Sequence, residues 1–235
     1  MSGWEAAVRR MYDVFGHVTR PERMDGCLHC VEPGQERPLL AGPVGSIEAA
    51  VLARYAARAL NTWGGVAEFR YFLPRLLECA AADAFVYPDP EIVFGKLASA
   101  EWRTWPDEER DAVTGFLSEW WHETLRRHPV HPSMDTVVCA LAATGMDLAP
   151  CLQAWSRLDT DAAINHLYDF VQTGLSGQRL TNAFWDRRSA AYRQLLTWLT
   201  GGPAAAAVEA AFAAETREPV LERLAAIHPA LLPSP

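Results

Sequence analysis

Apolar residues recur along this chain at spacings of three and four, the period of a helix with one face in a core. In the first segment Trp4, Val8, Met11 and Phe15 share one side, Ser2 is placed to cap it, and it runs to about Gly16. A second helix is expected from Ser46 through Trp63, closed by Gly64 and Gly65. "VAEFRYFLPRLLECAAA" follows at once, and so short a connection implies two antiparallel neighbours. In it Phe69, Phe72, Leu73, Leu76 and Leu77 form an apolar stripe, while Glu68, Tyr71, Arg75 and Glu78 form a separate polar row. Pro74 predicts a kink, because it cannot donate to the carbonyl of Arg70.

Further helices are expected from Pro90 to about Trp102 and from Pro106 through "DEERDAVTGFLSEWWHETLRRH". The second of these has acids at its start and Arg126, Arg127 and His128 at its end, as the helix dipole favours. After the break "HPVHP", Ser133 caps a helix that stops at Gly145. "MDLAPCLQAW" and "TDAAINHLYDFVQTG" follow, then a long helix capped by Thr181 or Asn182, then two that begin with proline. No alternating run reads as a strand. The fold class is therefore all-α: about ten helices and no sheet. Helix pairs spaced about 35 to 45 residues apart suggest antiparallel hairpins in an irregular, HEAT-like α-solenoid or in a helical bundle. Residues 1–235 are read as a single domain, with a soft division near 128–133.

The segment from His17 to Gly45 breaks this pattern. It is rich in proline and glycine, and a loop of that length inside a domain is usually functional or stapled. It carries Cys27, Leu28, His29 and Cys30. Two cysteines at this spacing can occupy two positions of a zinc tetrahedron, with His29 as an alternative ligand and His17 or Cys79 as further ones. A redox pair needs a thiol of lowered pKa at a helix start, typically after a strand in a βαβ context, and that context is missing here. A structural pair without metal needs neither, and all three readings stay open.

Half the residues are apolar and 21% are charged, an ordinary globular balance. A formal net charge of −8 disfavours general binding to phosphate backbones. There is no apolar signal core at the N-terminus and no run of about eighteen apolar residues, so a membrane partner is not expected and a cytoplasmic location is. Five cysteines, an odd and scattered set, argue against a disulfide framework, and Cys79, Cys139 and Cys151 read as small buried hydrophobes. "HETLR" fails as a zincin motif, because Arg126 stands where the second histidine belongs, and His122 and Glu123 read as solvent-facing. His128 reads as a loop residue and His166 as a satisfied core histidine. No phosphate loop, nucleophile elbow or dinucleotide fingerprint occurs. Nine tryptophans are many for this length; most should pack helices, while Trp120 and Trp121 point different ways and one of them is expected to cover a loop or meet a partner.

"GCLHC", "YAARALNTWGGVAEFRYFLPRLLE" and "LASAEWRTWPDEERDAV" resemble an uncharacterised family of bacterial helical proteins with a cysteine pair, a TWG turn and a helix close to F-x-Y/H-F-L-P-R-x-L-E. The positions that carry the resemblance are Cys27, Cys30, Thr62, Trp63, Gly64, Phe69, Phe72, Leu73, Pro74, Arg75 and Glu78, within residues 12–125. His29 departs from it, standing where that family has an adjacent second cysteine. The resemblance implies an all-helical fold and brings no reaction with it.

With no catalytic constellation in view, the expected function is protein interaction, as a scaffold, adaptor or immunity-type protein whose partner is another protein. Trp63, Tyr71, Arg75, Glu78, Trp102, Trp105 and Trp121 are the expected binding residues. The alternative is a metal- or cysteine-dependent enzyme with Cys27, His29 and Cys30 at its site and zinc as the implied metal. A small-molecule binder with a Trp-lined cleft is a third possibility. The cysteine loop is expected to fold over the hairpin formed by the TWG turn and the FLPR helix, with Trp63 beneath it and Arg75 bonded to loop carbonyls or to Glu78.

Overall fold

The structure, a computed structural model, describes residues 2–27 and 29–231; Leu28 of the thiol segment, Met1 and residues 232–235 lie outside the described residues. The helical class holds. Among the described residues there are eleven α-helices: α1 Gly3–Phe15, α2 Ala49–Arg58, α3 Val66–Ala81, α4 Pro90–Ser99, α5 Asp107–Arg126, α6 Met134–Ala143, α7 Ala149–Trp155, α8 Asp161–Asp169, α9 Ala190–Thr200, α10 Pro203–Ala214 and α11 Glu218–Leu231. The sequence pattern missed one small hairpin, β1 Leu175–Ser176 with β2 Arg179–Leu180, whose turn has Gly177 at φ 57°. The chain forms two compact units, Met1–Trp120 and Trp121–Pro235. Pro129 and Pro132 lie in the α5–α6 connection. No helix among the described residues is long and apolar enough to cross a membrane.

In the first unit α3 is the centre, with α1 and α4 packed against it. Its stripe of Phe69, Phe72, Leu73, Leu76 and Leu77 is completely buried. Burial of one such side chain stabilises the fold by roughly 1.5–3 kcal/mol, which is how a chain without an extended sheet holds together. Ser2 and Glu5 close α1 with a reciprocal capping box: the Glu5 N–H donates to Ser2 Oγ at 3.1 Å and the Ser2 N–H to Glu5 Oε2 at 2.9 Å. Pro74 sits within α3, which runs unbroken from Val66 to Ala81. The acid Glu109 is buried, held by a two-pronged guanidinium from Arg70 and by His17 at 3.3 Å. Lys96, the only lysine of the sequence, is buried on α4.

Several helix ends differ from the sequence expectation. α2 begins at Ala49, not Ser46, and stops at Arg58. Leu60 takes a left-handed φ of 67°, and residues 59–63 turn their backbone toward the loop. α4 stops at Ser99 because Glu101 is left-handed at φ 52°. α9 begins at Ala190 under a Ser189 cap, not at Thr181 or Asn182. There the Asn182 side chain accepts from the Phe184 N–H and the Asp186 side chain from the Arg188 N–H, each at 2.9 Å. These local turns compete with helix for the same donors.

The second unit is built on indoles. Trp155 of α7 is completely buried. It meets Trp121 edge-on at 5.7 Å, Phe170 edge-on at 5.8 Å and Trp198 in a stack at 5.1 Å. Its Nε1–H donates to the Ala163 carbonyl at 3.0 Å, so the ring is both packed and satisfied. Trp155→Ala is expected to lower stability by about 3–5 kcal/mol, seen as a lower urea midpoint at unchanged slope.

Candidate functional site

The thiol loop is fastened to the turn between α2 and α3. The Cys27 N–H donates to the Thr62 carbonyl at 2.8 Å, the Gly64 N–H donates to the Asp25 carbonyl at 2.6 Å, and Gly26 pairs antiparallel with Trp63. Gly64 has φ 69°, which a side chain would strain, and a Cβ on Gly26 would come within 3.0 Å of Val31. Arg58 reaches up from α2 to the Cys30 carbonyl at 2.6 Å. Trp63 is buried beneath, edge-on to Tyr55 at 5.6 Å. Arg75 donates through Nε to the Ile47 carbonyl at 2.8 Å and through Nη1 to Glu78 at 2.7 Å. Tyr12 of α1 donates to the same Glu78 carboxylate at 2.5 Å. Burial, and then the Glu78 charge beside it, hold the Tyr12 phenol above its ordinary pKa.

Cys27 is exposed and Cys30 half-buried. The Cys27 pKa is lowered, first by the His29 backbone, then by the Cys30 side chain and the Cys30 backbone. The Cys30 thiol is raised, first by the proton it shares with Cys27. His29 is exposed. Among the described residues no group of three or more His, Cys, Asp or Glu side chains is arranged to hold a metal ion.

The expected binding residues fall into two groups. Tyr71, Arg75 and Glu78 keep an accessible edge on α3. Tyr71 lies edge-on to Phe72 at 4.9 Å, and burial raises its pKa. Trp63, Trp102, Trp105 and Trp121 are buried. Trp105 donates to the Ala100 carbonyl at 3.1 Å, under the guanidinium of Arg70. Trp102 carries Arg103 over its ring. Trp120, buried as well, stacks on Phe94 at 4.4 Å, so each of the adjacent indoles finds an aromatic partner inside the protein.

Two features escaped the sequence reading. The first is a groove of about 710 Å³ in the second unit, floored by Leu152 and Trp198 and edged by Gln153, Arg193, Gln194 and Thr197. Ser156 fixes Trp198 there, accepting its Nε1–H at 2.8 Å, and Gln194 ties α9 to Asp147 at 2.6 Å. Nothing in sequence spacing brings α7 beside α9. The second is a corner where His128 meets Asp169 at 2.7 Å and lies edge-on to His166 at 5.0 Å, around a cavity of about 70 Å³ that Asp135 also lines. His166 is buried, as expected, and its Nε2 lies 2.9 Å from the Thr124 carbonyl and 2.6 Å from that of Arg127; facing two acceptors, it carries the proton. Glu123 corrects the expectation of a solvent-facing residue: its side chain is 17% exposed and pairs with Arg126 and Arg127. Searches of known family models, curated proteins and solved structures gave no match to this chain.

Two outcomes are expected. Arg75→Ala frees the Ile47 carbonyl and one side of Glu78, lowers stability by about 1–2 kcal/mol, and makes the chain between His17 and Gly45 cleave faster in limited proteolysis; equal cleavage rates would contradict the clamp. Burial lowers the pKa of His166, so the unfolded chain binds its proton first as pH falls. The contribution is intact above about pH 6.5 and is lost on acidification toward the folded-state value. In His166→Gln, whose amide still donates, the slope of stability against pH in that range should be shallower than in the parent protein.

Proposed function

We propose that the protein works by binding another protein, and that the groove formed by α7, α9 and the start of α10 takes an amphipathic helix of that partner. The observation that carries this is the groove itself. Its floor is Leu152 and the indole of Trp198, and Ala149, Ala190 and Pro203 narrow its sides without filling it. It lies open along the surface, so a small molecule would stay largely in water, whereas a helix would bury one stripe and keep its other face wet. Arg193 on the rim is exposed and makes no ion pair among the described residues, which suits an acidic residue beside the partner's apolar stripe. The expected scaffold or adaptor role is thus kept, but its surface moves from the tryptophans to this groove.

A photo-crosslinking residue at Gln153, used in the producing cell, is expected to yield one discrete adduct that a probe at exposed Glu222 does not give. Adding Arg193→Glu should weaken capture about tenfold, the effect of losing roughly 1.4 kcal/mol. Absence of the adduct, or an adduct indifferent to Arg193, would overturn the reading.

A further inference from the structure

We propose that Cys27 and Cys30 form a thiol–disulfide exchange site, with Cys27 as the attacking sulfur, Cys30 as the resolving one and a low-molecular-weight disulfide as co-reactant. The cysteines stand three apart in a tight turn, in which the N–H groups of Cys30 and Val31 both donate to the Cys27 carbonyl at 2.9 Å. That turn holds the two cysteines on neighbouring positions of one short loop, and hydrogen bonding to Cys30 helps lower the Cys27 pKa. The roles follow from access and from hydrogen bonding. Cys27 is exposed and its pKa is lowered, first by the His29 backbone, which favours a nucleophile there; Cys30 is half-buried and its pKa is raised. The turn cannot drift from this geometry without breaking its pairs with Thr62 and Gly64 and the Arg58 bond to the Cys30 carbonyl. Cys79, Cys139 and Cys151 are buried, so the pair is the accessible thiol chemistry of the described surface.

The steps balance. The Cys27 thiol gives up its proton and its sulfur attacks one sulfur of the small disulfide. The S–S bond breaks, a mixed disulfide forms on Cys27, and the departing thiolate takes the proton. The Cys30 thiol then gives up its proton and attacks the Cys27 sulfur. The mixed bond breaks, the second thiolate leaves as a thiol, and a Cys27–Cys30 disulfide remains. Two protein thiols are oxidised and one external disulfide is reduced to two thiols.

Oxidised glutathione is the probe. The purified full chain is incubated with it near neutral pH, quenched in acid and mapped by mass spectrometry. The parent protein should lose two hydrogens, in a peptide linking Cys27 to Cys30, and recover them with excess reduced glutathione. Cys30→Ser should hold a stable glutathione adduct on Cys27, and Cys27→Ser should be captured at Cys30 at least about tenfold more slowly. Circular dichroism of both variants should match the parent, since neither sulfur packs in the core. The proposal is overturned if the parent forms no Cys27–Cys30 bond, or if the two variants are captured at equal rates.

Discussion

A long irregular segment laid against a helical core must find partners for its backbone N–H and carbonyl groups. Here the residues around the thiols find them in a turn between two helices, and much of the first unit follows from that. Thr62 gives its carbonyl to Cys27 and Gly64 gives its N–H to Asp25, so α2 has to end at Arg58 and leave residues 59–63 out of the helix. Gly64 has to be left-handed, and Trp63 is pressed into the core below. Arg75 repeats the device where the segment ends, at the Ile47 carbonyl. The pairing begins near Asp25 and closes at Ile47, and Thr62, Trp63, Gly64 and Arg75 of the TWG and FLPR stretches are among the residues that make it.

Much of this was legible in the sequence. Apolar residues at helical spacing marked the helices, because burial on one face is what such spacing serves. The docking of the thiol loop on the hairpin, with Trp63 beneath and Arg75 bonded to a carbonyl and to Glu78, was expected around the TWG and FLPR residues. Helix ends were less legible, since Asn182 and Asp186 gave local turns the donors that a helix would have used. Distant partners were not legible at all: Tyr12 with Glu78, Arg70 with Glu109 and Gln194 with Asp147 join residues whose separation along the chain carries no period.

The tryptophans show how composition can mislead about surfaces. Most were expected to pack helices, and they do, but Trp63, Trp102, Trp105 and Trp121, also read as binding residues, are interior along with Trp120 and Trp155. Large flat rings fill the wide gaps between helices that cross without sheets, and their N–H groups find carbonyls or hydroxyls where geometry allows, as in Trp105, Trp155 and Trp198. Among the accessible features of the described residues are a groove of modest side chains beside Trp198 in the second unit and a dithiol in the first.

The burial of Lys96 has a consequence for how this molecule can be handled or marked. Desolvation lowers its pKa, and only a small part of the residue reaches solvent. Enzymes and reagents that modify lysine side chains therefore meet a single target in the sequence, and it is largely buried. The positive charge its surface carries at alkaline pH is guanidinium, which stays protonated far beyond the range where amines let go.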